Sequence, residues 1–350
     1  MNKIKSALLP LIITLPVFTA SASDQQNEQA QLKQQLELIQ KRLSELENKT
    51  QNTTKSIPAN TSFNVYGTLR PTFGVTSGDE DVWDVGDALS RVGFKTEHKL
   101  TNGLTGFAKG EFKVNIQANG DFGEARKAYV GIKGDFGRFT IGKQASAQYN
   151  MIADSVDIFN RSATPLAYDS ISPFRVNNLV TYRKEFGAIS ISVDSQFNGS
   201  DKDNSSDFFN TGIQYKTNAI KAAVAYYDKS RDDGATEKAL GVSIAKDFGS
   251  LYLATSYQDI EIDDIDGSTL DVVGAYAINE IYKLKIGISQ YDDGLAESNS
   301  DNYQAYNTTL EWQGTPDFRL FVEYQHNNFE YKTDNDQIMI GMRYNFDYKF

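Results

Sequence analysis

Large apolar and polar side chains alternate along the last residues of the chain. Tyr344, Phe346, Tyr348 and Phe350 share one parity, and the residues between them are polar or charged. Successive side chains of a strand point to opposite faces, so this stretch predicts a strand with one apolar face up to its last residue. We expect an apolar environment to cover that face.

Segments with the same alternation recur from Phe63 to the end of the chain. In FNVYGTLRPTFGV, for example, Phe63, Val65, Leu69 and Phe73 share one face, and polar side chains dominate the other. A tilted strand needs about ten residues to cross a membrane, which is close to the length of these segments. Sixteen segments can be counted, and they begin near residues 63, 89, 104, 124, 137, 175, 187, 206, 219, 237, 250, 269, 282, 303, 317 and 337.

The connections between the segments alternate between short turns and longer, acidic loops. Residues 101–103 form one of the short turns, whereas TSGDEDVWDVGDA at 76–88 and IDDIDG at 262–267 belong to the longer set. Outer-membrane barrels have short turns toward the periplasm and longer loops outside. The sequence therefore predicts an all-β fold over residues 62–350, a transmembrane antiparallel 16-stranded β-barrel with both ends on the periplasmic side.

Closure of such a barrel explains the apolar end of the chain. The last strand must pair with the first, because each unpaired backbone group costs several kcal/mol in lipid. The aromatic side chains at the end, from Tyr344 to Phe350, then face the bilayer, and the last of them lie in the aromatic girdle at the periplasmic interface.

The first residues have the features of a secretory signal peptide. MNKIK carries two lysines, an apolar run follows, and Ala20, Ser21 and Ala22 form a small-residue cleavage site. We assign residues 1–22 to the signal peptide. A membrane anchor is the weaker alternative, because the apolar run is short for a span and Pro16 would break a helix.

Residues 23–49 predict a short periplasmic coiled-coil helix. Apolar residues are spaced four, three, four and three apart, which is a heptad seam of Leu32, Leu36, Ile39, Leu43 and Leu46. Leu at a and Ile at d favour three or four helices over two. A single solvated helix or a disordered stalk is the alternative, and residues 50–61 read as a flexible linker.

Composition narrows the class of protein further. The chain has 19 Tyr, 21 Phe and 26 Gly against 7 Pro, a mixture that favours sheet over helix. It contains no cysteine, which excludes disulfides, zinc-thiolate clusters and a cysteine nucleophile. The formal net charge of −11 disfavours a nucleic-acid partner.

Several stretches of the barrel region resemble the trimeric general-diffusion porins of Gram-negative bacteria. They occur in the family's order: Val65-Tyr66-Gly67, SRVGFKTE at 90–97, NGLTGFAKGEF at 102–112, EARKAYVGIKGDFGRFTIGKQ at 124–144, FRVNNLVTYR at 174–183, and the terminal Phe350. The resemblance implies a homotrimer in the outer membrane that forms a water-filled channel for passive diffusion of small hydrophilic solutes and ions. It implies no enzyme activity, no cofactor and no metal. The coiled coil departs from the commonest family members.

The resemblance also implies that the third external loop folds into the barrel and narrows the pore. Residues 145–174 are the longest connection and occupy the matching position. This loop is too apolar to extend into water, which favours the inward fold. It lacks the family's usual acidic-Phe-Gly-Gly tip, so we choose its acids from the loop itself: Asp154, Asp157 and Asp169.

Opposite these acids, the resemblance implies a wall of basic residues. Parity along the first strands and family position together select Arg70, Arg91, Lys95, Lys109, Lys113, Arg126 and Arg175. The family places its first lumen base at the position of Thr68, and Arg70 lies one step along the same face. Opposed charges across a narrow aqueous gap orient dipolar solutes and penalise apolar ones.

Other functions remain open at this point. A phosphate channel would need a dense basic lumen free of acids, and a sugar channel a path of aromatic residues, whereas the candidate charges here, Arg183 included, are mixed. The coiled coil could also tether the outer membrane to the cell wall. An enzyme would have to use His98 or His326, and neither has a triad partner nearby in the sequence.

The acidic external loops add two expectations. Their carboxylates could bind divalent cations that bridge to lipopolysaccharide, although solvated loop tips are the simpler interpretation. Their negative charge at the mouth predicts a mild preference for cations. The acids concerned are Asp79, Glu80, Asp81, Asp84 and Asp87 in one loop, and Glu261, Asp263, Asp264 and Asp266 in another.

Overall fold

The computed structural model describes residues 33–34, 36–45, 60–160, 166–199, 206–230, 236–295 and 300–350. The chain divides into two compact units, Met1–Pro58 and Ala59–Phe350. In the first unit, residues 33–34 and 36–45 are helical, and Leu36, Ile39 and Leu43 on this helix are exposed. The signal peptide, most of the linker, Leu32 and Leu46 lie outside the described residues.

The second unit consists of eighteen strand segments in one antiparallel sheet. The first nine are β1 (Thr61–Leu69), β2 (Pro71–Ser77), β3 (Val82–Asp87), β4 (Arg91–Lys99), β5 (Thr105–Val114), β6 (Phe122–Gly134), β7 (Gly137–Ala145), β8 (Arg175–Phe186) and β9 (Ile189–Gln196). The others are β10 (Phe208–Lys216), β11 (Ile220–Ser230), β12 (Thr236–Asp247), β13 (Leu251–Ile262), β14 (Ile265–Ala277), β15 (Tyr282–Asp292), β16 (Tyr303–Gln313), β17 (Phe318–Phe329) and β18 (Asn335–Lys349).

These segments form sixteen barrel strands, as predicted. Arg70 alone separates β1 from β2, and residues 88–90 separate β3 from β4, so each pair is one interrupted strand. The ring closes where β18 pairs with β1, in a register that sets Leu69 opposite Tyr344. At the very end, the Phe350 N–H donates to the Phe63 carbonyl oxygen at 2.8 Å.

The two faces of the sheet differ in the way that the alternation predicts. On β12, Leu240, Val242 and Ile244 are exposed on the outer face, whereas Ala239 and Ser243 are buried on the inner face. A closed ring of strands turns one face of every strand outward, and in a membrane that face meets hydrocarbon. Within the described part of the chain, no helix is both long and apolar enough to cross a membrane.

Two acidic connections are shorter than the sequence predicts. Most of 76–88 is strand, because β3 pairs with β2 and the Trp83 ring stacks on Phe73 with centroids 5.5 Å apart. The second barrel strand therefore begins near residue 82 and not near 89. The IDDIDG loop is a two-residue turn in which Asp263 and Asp264 both have positive φ, a backbone that carboxamide and carboxylate residues tolerate.

Candidate pore constriction

The described parts of the connection between β7 and β8, residues 146–160 and 166–174, pack against the inner face of the barrel. It contains a π-helical turn, Tyr149–Ala153, and a 3₁₀ turn, Ala167–Ser170. Ile152 is fully buried in a cluster with small side chains of the wall, including Ala223 and Ala245. The small wall residues leave room for the apolar loop, which thereby occupies part of the lumen.

Carboxylate and amide oxygens of the wall accept hydrogen bonds from the backbone N–H groups at the start of each turn of this loop. Asp194 on β9 accepts from the Ala147 N–H at 2.5 Å. Asp271 on β14 accepts from the N–H groups of Ala167 and Tyr168, at 2.8 and 3.1 Å. These buried hydrogen bonds satisfy backbone donors that would otherwise be orphaned, and they fix both arms of the loop to the wall. Neither aspartate is predicted from the sequence pattern.

Residues 158–160 of the loop contact the opposite wall. The Lys285 ammonium on β15 donates to the Ile158 carbonyl oxygen at 2.6 Å, and the Asn160 N–H donates to Glu323 on β17 at 3.1 Å. The Asn160 side chain also donates to Glu311 on β16. The loop therefore spans the lumen from β7 to β17.

A cavity of about 320 Å³ lies between the loop and the basic wall. Among the described residues that line it, two are acidic, Glu111 and Asp157, and the neutral ones include Tyr149, Phe159 and Asn160. Its eight basic lining residues are Arg70, Arg91, Arg126, Lys127, Arg175, Lys285, Arg319 and Arg343.

The structure brings four of the seven predicted bases together at this cavity: Arg70, Arg91, Arg126 and Arg175. The other three lie outside it. Lys95 and Lys109 stand over the Tyr66 ring, with ammonium nitrogens 5.7 and 5.1 Å from its centroid. Lys113 instead lines a second cavity.

Four basic lining residues were missed in the sequence. Lys127 follows Arg126, and strict alternation would turn it outward, but a register shift between β5 and β6 near Glu111 lets both side chains face inward. Lys285 and Arg319 lie on late strands, and with Arg343 they alternate with outward apolar side chains. Applying the parity rule to the late strands would have found these three.

The predicted loop acids occupy three different environments. Asp157 lines the cavity and accepts a hydrogen bond from the Tyr149 hydroxyl at 2.6 Å. Asp154 instead forms a 3.0 Å ion pair with Lys221 on β11. Asp169 is accessible but enclosed by the barrel, and loss of hydration, with Asp157 and Asp271 adding, raises its pKa to about 7.

Glu111 is an acid embedded in the basic wall, and it too was missed. Only 4% of its surface is exposed. It accepts hydrogen bonds from the Tyr66 hydroxyl at 2.9 Å and from Arg126 Nε at 3.1 Å, and Arg91 Nε lies 4.0 Å away. A buried carboxylate with charged donors offsets part of the repulsion among the surrounding arginines.

The second cavity adjoins the first on the side of the longer loops. It measures about 670 Å³ and is lined by Lys113, Lys143 and Glu124, together with Arg126 and Arg175. Because Arg126 and Arg175 line both cavities, they stand at the junction between them.

The terminal aromatic residues and the two histidines lie away from both cavities. Tyr344, Tyr348 and Phe350 are exposed on the outer face of β18 and its end, and Phe346 stacks on Tyr348. His98 bonds to Thr61, and His326 to Asp336, at the two rims. Within the described ranges, no group of three or more acidic or histidine side chains is arranged to hold a metal ion.

Comparison with known proteins decides the family. A sequence model described as Gram-negative porin matches residues 52–346, most of the chain. The chain belongs to the Gram-negative porin family. This porin is 24% identical over 322 residues to the outer membrane porin PhoE of Enterobacter cloacae, covering 81% of this chain and 91% of the relative.

Solved structures show the same fold at lower identity. The porin superposes on Salmonella typhi OmpF, solved with daunomycin, with a TM-score of 0.68, at 19% identity over 82% of this chain and 98% of the other. A trimer form of Vibrio cholerae OmpT gives a TM-score of 0.64, at 19% identity over 82% and 99%. The family places this porin in the Gram-negative outer membrane as a channel protein.

Proposed function

We propose that this porin passes small hydrophilic solutes and ions by passive diffusion, and that the cavity between loop 145–174 and the basic wall is its constriction. The observation that carries the proposal is the loop itself, which is fixed to β9, β14 and β17 and faces eight basic side chains. Opposed charges across a water-filled gap favour polar solutes and reject apolar ones. No bond is made or broken, so the function needs no catalytic group.

Single-channel conductance in planar bilayers tests this proposal. We expect discrete steps in the current, and we expect Arg91→Ala to change both the conductance and the ion selectivity, because Arg91 lines the constriction. Lys246→Ala is the matched control, since Lys246 lies near a turn, over the Phe248 ring, and outside the cavity lining. A barrel that folds but carries no current would contradict the proposal.

We also propose that three copies assemble, as the trimer form of OmpT does. The exposed Leu36, Ile39 and Leu43 on the N-terminal helix support this proposal, because a heptad seam can bury these side chains only against other helices. The helix would lie in the periplasm after removal of the signal peptide. A helix that also tethers the outer membrane would contact the cell wall there. Outer-membrane lipid and lipopolysaccharide would surround the exposed apolar face.

A further inference from the structure

The constriction carries more positive charge than a balanced transverse field requires. Of its eight bases, Lys285 and Arg319 pair with Glu311 at 2.5 and 3.4 Å, which neutralises part of their charge. The remaining six, five of them arginines, face only Glu111 and Asp157 in the cavity lining. The net charge of the lining is therefore positive, although the whole chain is acidic.

Several of these guanidinium groups form no ion pair within 4.0 Å among the described residues. Arg70 Nε donates to the Thr68 hydroxyl at 3.2 Å, and Arg343 Nε donates to the Asn345 amide oxygen at 3.0 Å, so both bond to neutral oxygens. Arg175 stacks on the Phe174 ring at 3.7 Å, and its Nε is buried without a hydrogen-bond partner among the described residues. Such groups are available to an anion.

The outer cavity extends this charge toward the external side. Lys113, Lys143 and Glu124 line it, with Glu124 4.0 Å from the Lys143 ammonium, and it shares Arg126 and Arg175 with the constriction, so its described lining has more basic than acidic side chains. Positive side chains thus extend from the outer cavity into the constriction cavity through the shared Arg126 and Arg175. Such a lining raises the local concentration of anions and speeds their entry.

We propose, on the basis of the proposed channel function, that the two cavities form a binding path for phosphate-bearing solutes, with Glu111 as the counter-charge that keeps binding weak enough for release. The lysines of the outer cavity attract the anion from solution, and the arginines of the constriction bind it. Arginine matches phosphate because its planar guanidinium group can donate two parallel hydrogen bonds. Conduction requires a site that binds but also releases, and Glu111 lowers the positive charge at that site.

The test measures block of the chloride current through the full-length porin in planar bilayers. Inorganic phosphate and a hexose phosphate are added in separate arms, with the neutral hexose as control. We expect anion selectivity, a concentration-dependent block by at least one phosphate compound, and no block by the hexose. Comparing the block by the two phosphate compounds shows whether the channel binds free phosphate or a phosphorylated organic solute more tightly.

Two substitutions with opposite expected effects separate this proposal from general damage to the pore. Arg175→Gln should weaken the phosphate block about tenfold, since it removes a charged donor. Glu111→Gln should lengthen each blocking event about tenfold, because it raises the positive charge around the anion. Damage to the fold would not produce tighter binding.

The two lysines of the outer cavity should affect the rate at which the block begins. Lys113→Gln with Lys143→Gln should slow the onset of block by phosphate added from the external side and leave the duration of each event unchanged. Lys246→Gln is the control for removing one positive charge elsewhere. Cation selectivity, or a conducting channel that phosphate does not block, would overturn this inference and leave the proposed channel intact; the absence of any conductance would overturn both.

Discussion

At the scale of single residues, Asp169 is expected to make the channel sensitive to pH. Its raised pKa of about 7 means that the carboxyl group takes up a proton as the pH falls through neutrality. The loop then loses one negative charge beside Arg175. We expect the ratio of anion to cation permeability to rise when the pH is lowered from about 8 to about 6.

Reversal potentials in a salt gradient measure this change. Asp169→Asn should remove most of the pH step, because the amide does not titrate. Asp79→Asn is the matched control, since Asp79 is an exposed residue of the first external connection. An unchanged pH step in Asp169→Asn would show that another group titrates.

Single residues also show how much of the candidate site could be predicted from the sequence. Alternation selects Arg91, which precedes the apolar Val92, and would have selected Lys285, which lies between Leu284 and Ile286. It cannot select Lys127, because the register shift in β6 that turns it inward depends on pairing with β5. The roles of Asp194 and Asp271 depend on where a distant loop docks, and local pattern does not contain that information.

At the scale of elements, the packing of loop 145–174 should depend on Ile152. This side chain is completely buried against the inner wall. Truncating a buried Ile to Ala costs about 2–5 kcal/mol where the cavity cannot collapse. We expect Ile152→Ala to loosen the loop and increase the noise of the open-channel current.

The strands themselves should be unaffected, because their backbone hydrogen bonds do not involve this side chain. The thermal unfolding of the barrel, followed on heat-shift gels, should therefore stay close to that of the unchanged porin. Ile244→Ala is the control, since Ile244 is on the outer face and 50% exposed. Equal current noise in the two variants would contradict the proposed packing role.

The elements were predicted more accurately than the site. Fourteen of the sixteen strand starts required only small adjustment, because the period of two repeats on every strand and the tight turns mark its ends. The charges of the acidic segment before β4 predict a solvent-exposed loop. Val82, Trp83 and Val85 nevertheless pair with β2, so the strand is longer than predicted.

At the scale of the whole molecule, the N-terminal helix and the barrel are separate compact units. Deleting residues 24–57 should therefore leave the conductance of each channel unchanged, because the deletion ends before β1 begins at Thr61. The assembled trimer should dissociate at a lower temperature if the heptad seam joins the copies. Seminative gel electrophoresis over a temperature series measures this difference.

A triple variant distinguishes the seam from the rest of the helix. Changing Leu36, Ile39 and Leu43 to Ser should reproduce the effect of the deletion. Changing Lys33, Glu37 and Lys41 to Ser on the polar positions of the same helix is the matched control. Equal dissociation temperatures for all forms would show that the coiled coil does not stabilise the trimer.

The pairing of β1 with β18 has a consequence for biogenesis. Phe63 and Phe350 exchange backbone contacts although nearly the entire barrel sequence separates them. Because β18 pairs with β1, β2 and β17, a chain that lacked β18 would leave unpaired strand edges, and each unpaired backbone group costs several kcal/mol in lipid. The last strand thus decides whether the whole ring can be stable in a membrane.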